Sequence, residues 1–157
     1  MNNAAPLVKL LRAKKLKISL AESCTGGLLA KQITDVEHAS EVFECGFVTY
    51  SDRIKQDVLG VDPRIIARHT VYSAQVAAAM AEKCAQIAGA DIGIGVTGVA
   101  GPGDEGQVKA GSVWYGLYTA RDGRTVTRAL ALQGDRIQVR QRAAEEIFGH
   151  LCELLSR

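Results

Sequence analysis

Aromatic residues are scarce in this chain, at 5% with a single tryptophan. That is too few for a surface on which nucleic-acid bases stack, so Trp114 and Tyr115 read as strand packing residues. An excess of charge of one sign is lacking as well. The 157 residues carry 19 Lys and Arg against 17 Asp and Glu, and a net +2 leaves no electrostatic footprint for nucleic acid or an anionic membrane. No apolar run approaches the roughly 18 residues needed to cross a bilayer. The segment Met1-Asn2-Asn3-Ala4-Ala5-Pro6 has no basic region followed by an apolar stretch, so it does not read as a secretory signal. Paired cysteines are missing too: Cys24, Cys45, Cys84 and Cys152 lie far apart, and His38, His69 and His150 are equally scattered. Neither a disulfide framework nor a metal site is therefore expected. What remains, 47% apolar and 23% charged residues, is the profile of a soluble cytoplasmic protein with reduced thiols. The length suits one domain, residues 1–157, with a full core.

Leu7, Val8, Leu10 and Leu11 recur at helical spacing and predict a first helix over residues 5–15. Ile18 to Ala21 reads as a strand and Gly26 onward as a second helix. A short helical piece near Ser40 to Phe43 leads to a second strand, Phe47 to Tyr50. Ser51 caps a helix through Leu59, Asp62-Pro63 opens another to about Arg68, and Ser73 caps an alanine-rich helix from Ala74 that Gly89 ends. Ile92 to Val96 reads as a third strand. The glycine-rich run from Thr97 to Ala110 has the length of a functional or disordered loop. Val113 to Ala120 and Val126 to Leu132 form a hairpin about Arg121-Asp122-Gly123-Arg124. Asp135 caps a terminal helix whose apolar face includes Ile137, Ala144, Ile147, Phe148, Leu151 and Leu155. Strands separated by helices imply parallel crossovers, and the hairpin forces one antiparallel strand. The expected fold is α/β, a three-layer α/β/α sandwich with a mixed five-stranded sheet.

Ligands of such sheets bind beyond the carboxyl ends of the strands, where the strand order reverses. If the first and third strands are neighbours, the turn after Ala21 and the loop from Thr97 are opposite walls of one crevice. The turn reads Ala21-Glu22-Ser23-Cys24-Thr25-Gly26-Gly27, placing a hydroxyl and a thiol beside glycines and a helix N-terminus. This arrangement presents a nucleophile and free N–H groups to an anionic substrate. Capping the helix near Gly26 is the alternative role for Ser23 or Thr25. Cys24 rivals Ser23 as nucleophile, because a helix N-terminus lowers a thiol pKa. The two point in different directions, so only one faces the ligand, and local spacing does not choose between them.

No histidine follows a strand end, so the base must come from elsewhere. Tyr50 ends the second strand, and Lys55 lies one turn into the helix that follows. A lysine desolvated in a crevice falls from about 10.4 toward 7–8 and can accept a proton; a solvated one on a helix surface cannot. Gly95-Val96-Thr97-Gly98-Val99-Ala100-Gly101-Pro102-Gly103 exposes backbone N–H groups suited to a phosphate or an oxyanion, without the P-loop ending or the dinucleotide fingerprint. Arg136 and Arg140, one turn apart at the start of the last helix, could clamp a phosphate together or simply pair with nearby acids.

Together these segments resemble the CinA C-terminal domain family, the nicotinamide mononucleotide amidohydrolases also called PncC. The resemblance rests on Ala-Glu-Ser-Cys-Thr-Gly-Gly at 21–27, Gly-Phe-Val-Thr-Tyr-Ser at 46–51 with Lys55, Gly-Val-Thr-Gly-Val-Ala-Gly-Pro-Gly at 95–103 and Gly-Asp-Arg at 134–136, in the family's order. It implies a sheet order 2-1-3-4-5 with the fourth strand antiparallel, and hydrolysis of the carboxamide of nicotinamide mononucleotide to nicotinic acid mononucleotide and ammonia. By this similarity Ser23 attacks, and Lys55 and Tyr50 handle the proton. Amides near Thr25, Gly26 and Gly27, or around Thr97, Gly98, Gly101 and Gly103, hold the oxyanion. The glycine loops with Arg136 and Arg140 take the phosphate, and no metal or cofactor is required. The implied partner is a small nucleotide, with no nucleic acid or membrane, and a homo-oligomer stays open. Where the family commonly runs on in glycine and serine, this chain reads Asp104-Glu105-Gly106-Gln107-Val108-Lys109-Ala110-Gly111. A module that binds a pyridine nucleotide without turning it over, or one associated with competence or DNA damage, is the alternative class.

Overall fold

The computed structural model describes residues 4–157, so the start of the N-terminal segment judged not to be a secretory signal, Met1 to Asn3, lies outside the described residues. Five strands form one sheet: β1 (Ile18–Glu22), β2 (Phe43–Val48), β3 (Ile92–Gly98), β4 (Ser112–Thr119) and β5 (Arg124–Ala131). Their order is β2-β1-β3-β4-β5. β1 runs parallel to β2 and β3, whereas β4 is antiparallel to both β3 and β5. The helices are α1 (Ala4–Lys14), α2 (Leu28–Thr34), α3 (Asp52–Asp57), α4 (Pro63–His69), α5 (Ala74–Ala88) and α6 (Arg136–Leu155). Three layers result. One face of the sheet buries Leu20, Ile94 and Tyr115 with α1, α2 and α6, and the other buries Ala21 against Val76, Met80 and Cys84 of α5.

Alanines make α5 thin, and Gly93 and Gly95 of β3 let it lie directly on the strand. A Cβ at Gly93 would fall 2.0 Å from the Ala81 carbonyl oxygen, and one at Gly95 would fall 2.2 Å from that of Ala77. The caps lie where the local rules place them. Ser51, Asp62 and Ser73 accept N–H bonds at the starts of α3, α4 and α5, and Asp135 with Gln138 forms a reciprocal capping box on α6.

Three expectations are corrected. The second strand starts at Phe43, not Phe47, and stops before Thr49; the helical piece ahead of it is a 3-10 turn over Ala39–Glu41. A bulge shifts the register, so that Ile18 pairs with Phe43 but Ser19 with Cys45; exposure still alternates along the strand, but Glu44-Cys45-Gly46 holds no β-branched or aromatic residue to mark it. Ile137 is 77% exposed. It shares the helix face of Ala144 but lies two turns nearer the N-terminus, beyond the packed layer. The run from 104 to 110 is folded on itself. Asp104 accepts from Ala110 N and Lys109 Nζ, and Glu105 and Val108 exchange main-chain hydrogen bonds.

Candidate active site

The carboxyl ends of β1 and β3 lie side by side, and α2 and α5 occupy opposite faces. Ser23 extends β1 by one residue, its N–H donating to the Val96 carbonyl of β3 at 3.0 Å. The chain then turns through Gly26 and Gly27, at φ 61° and 97°, a backbone that only glycine adopts without strain. From the far side α3 brings in Lys55. Ser51 caps this helix, and the aliphatic stem of Lys55 runs inward until the whole side chain is buried. Its Nζ lies 3.1 Å from Ser23 Oγ, 2.8 Å from the Thr49 carbonyl and 3.3 Å from the Tyr50 carbonyl. As an ammonium Lys55 donates to all three; as a neutral amine it donates to the two carbonyls and turns its lone pair to the Ser23 hydroxyl. Burial pulls the Lys55 pKa below the usual lysine value, and the nearby Asp52 carboxylate opposes the shift.

Cys24 borders the same cavity as Ser23 and Lys55 but packs into the apolar core. It is buried, and burial pushes its thiol up to about 12, against the pull of Arg140. A thiol of that pKa is protonated at neutral pH and is a poor nucleophile.

The expected free helix N-terminus is not free. Glu22, itself buried, turns its carboxylate onto α2, where Oε2 accepts from Gly27 N and Leu29 N at 3.1 Å and Oε1 from Ala30 N at 2.9 Å. An internal carboxylate therefore occupies the anion site that the positive end of a helix ordinarily offers. Local spacing gives no sign of this, because the carboxylate must first be aimed by the strand.

Not all the candidate residues converge. Ser23, Tyr50, Lys55, Gly98, Gly101, Gly103 and Arg136 border one cavity, as do Asp52, Tyr72 and Glu105, which the sequence did not single out. Thr25, Gly26, Gly27 and Arg140 line a separate shallow groove with Leu28 and Ile137. The expected clamp of Arg136 with Arg140 is thus split. Arg140 Nε donates to the Cys24 carbonyl at 2.7 Å and its guanidinium lies over Gly26, bracing the turn from behind. Thr97 is buried, and its hydroxyl donates to the Val71 carbonyl at 2.9 Å, which ties the stretch before Tyr72 to the end of β3. Tyr50 meets Lys55 through its main-chain carbonyl, with its ring at the rim.

Comparison with known proteins bears on the family and the fold. The pattern of the CinA C-terminal domain matches residues 2–155. The nicotinamide-nucleotide amidohydrolase PncC of Enterobacter agglomerans is 43% identical over 135 residues, covering 85% of this chain and 82% of that protein. A CinA-like protein of Akkermansia muciniphila is 42% identical over 91% of the chain, which spans only 34% of that longer protein. A crystal structure of a CinA superfamily protein from Klebsiella pneumoniae superimposes with a TM-score of 0.94 at 32% identity, covering 98% of this chain and 96% of that one. The competence/damage inducible protein of Agrobacterium tumefaciens gives 0.92 at 29% identity over 99% and 94%. A match that runs almost from end to end, in sequence and in fold, makes the chain a member of the CinA C-terminal domain family.

Proposed function

We propose that the chain hydrolyses the carboxamide of nicotinamide mononucleotide through Ser23, with Lys55 as its base. The observation that carries this reading is the buried Lys55 Nζ held 3.1 Å from Ser23 Oγ at the floor of the cavity. Burying an amine is costly, and a module that only binds a nucleotide gains nothing from the expense. The name of the Enterobacter relative supports the substrate.

In this scheme neutral Lys55 takes the Ser23 proton as Oγ attacks the carboxamide carbon. Glu22 already occupies the amides of Gly27, Leu29 and Ala30. The oxyanion therefore falls to main-chain N–H groups bordering the cavity, those of Cys24, Ala100, Gly101 and Gly103, since Val99 N donates to Ser112 O and Pro102 has no N–H. The Lys55 ammonium then protonates the leaving nitrogen and ammonia departs, leaving an ester on Ser23. Water attacks that ester, Lys55 accepts its proton, and Ser23 is regenerated with release of the nucleotide acid. Arg136 at the rim takes the phosphate. Tyr50 helps to confine the ring and supplies a carbonyl that orients Lys55.

The test is ammonia release from nicotinamide mononucleotide by the wild type, Ser23→Ala and Cys24→Ser. Release by the wild type and by Cys24→Ser, but not by Ser23→Ala, is expected. No release by the wild type would remove this substrate, and activity that survives Ser23→Ala but not Cys24→Ser would move the nucleophile to the thiol.

A further inference from the structure

The cavity carries two carboxylates that the hydrolytic scheme does not use. Asp52 stands at the first position of α3, three residues before Lys55 and hence on the same side of that helix. Glu105 projects from the folded 104–110 loop, its main chain pinned by the reciprocal hydrogen bonds to Val108. Their neighbours differ: Asp57 is paired with Arg53 and Asp104 with Lys109, so the loop and the helix each spend their nearby cation on the other acid. Tyr72 borders the same cavity, half-buried and next to Val71, which the Thr97 hydroxyl ties to β3. Burial raises the pKa of its hydroxyl, and the carboxylates of Glu105 and then Asp52 raise it further. Tyr50 is a second aromatic ring on this cavity.

A wall of two carboxylates and two tyrosine rings repels a phosphate and attracts a delocalised cation. The cationic side chains on the same cavity are Lys55, engaged with Ser23, and Arg136. The cavity thus combines two acids and two tyrosine rings with the cations Lys55 and Arg136. A ring that presents its carboxamide to Ser23 comes to rest beside Asp52, because Asp52 and Lys55 share one turn of α3.

We propose that Asp52, Glu105 and Tyr72 select for positive charge on the substrate ring, so that the site takes the oxidised pyridinium nucleotide and rejects its neutral dihydropyridine counterpart. This rests on the amidohydrolase reading for its choice of ligand, and it adds a determinant of redox state to it.

The experiment measures binding of oxidised and reduced nicotinamide mononucleotide to the Ser23→Ala protein by calorimetry, which removes turnover from the readout. An exposed cation–π contact together with a partly screened ion pair corresponds to about a tenfold preference for the oxidised form. Glu105→Gln and Asp52→Asn should each narrow the ratio by roughly threefold, chiefly by weakening the oxidised ligand, and Tyr72→Leu should narrow it without a change of charge. Equal affinity for the two forms, no binding of either, or a ratio unchanged in the Asp52→Asn/Glu105→Gln double variant would overturn the proposal. Failure of the amidohydrolase reading registers separately, as oxidised nucleotide that binds preferentially yet releases no ammonia with the wild type.

Discussion

Replacing Lys55 by methionine keeps the buried stem and removes the amine. If that amine is the base for Ser23, the loss is the contribution of a positioned general base, about 10²- to 10⁴-fold in rate, or roughly 3–5 kcal/mol of transition-state stabilisation. The loss should fall on kcat rather than KM, because Lys55 touches Ser23, Thr49 and Tyr50 and lies beneath the substrate. Two carbonyls lose a donor, about 1 kcal/mol each, while the desolvation of the amine is relieved. The fold should therefore survive the change. Only the unprotonated amine accepts a proton, and burial lowers its pKa from the usual value. In the wild type, ammonia release should thus rise with pH through a midpoint below the ordinary lysine value, then level off. That acidic limb should be absent from the residual rate of Lys55→Met. Lys55→Arg should not restore activity, since a guanidinium does not lose its proton. Ammonia release followed from pH 5 to pH 10 is the assay. A Lys55→Met enzyme within tenfold of the wild type, or one with an unchanged acidic limb, would refute the role.

The same lowered pKa has a consequence for stability. Between the folded value and the ordinary lysine value the unfolded chain binds the extra proton, so wild-type stability should rise with pH across that window, and denaturation of Lys55→Met should lack this increment. Gly95→Ala drives a Cβ to 2.2 Å from Ala77 O and 2.4 Å from Ala81 N, both backbone atoms of α5; a loss of about 3 kcal/mol and a Tm lower by roughly 6–12 °C are expected from a thermal melt. Glu22→Ala leaves three amides at the start of α2 without their anionic acceptor and should cost about 3 kcal/mol in urea denaturation, with Glu22→Gln losing about half as much; wild-type stability in Glu22→Ala would remove the carboxylate from that role. Cys24 should resist iodoacetamide at neutral pH, because its thiol is pushed up to about 12, and rapid alkylation with loss of activity would contradict its burial.

Much of this molecule was legible before folding, and for local reasons. Caps and turns depend on residues a few positions apart, so Ser51, Asp62, Ser73 and Asp135 marked the starts of their helices and Asp122-Gly123 marked the hairpin. The second strand starts earlier than Phe47-Val48-Thr49-Tyr50 suggests, because Glu44-Cys45-Gly46 carries no β-branched or aromatic residue although its exposure alternates. The loop beyond Gly103 gave no hint that Asp104 would gather its far end.

Short-range rules set the α/β architecture, with its turn after β1 and its glycine segment after β3, because hydrophobic period, caps and glycines act over short distances. Which polar groups meet is set by the packing of the layers. Lys55 reaches Ser23 across 32 residues, and Arg140 reaches the Cys24 carbonyl across 116. Folding also gave the α2 amides to Glu22 in place of a ligand and drew Asp52, Tyr72 and Glu105 from three separate segments onto one wall. Such meetings depend on how the layers stack, and no spacing along the chain encodes them.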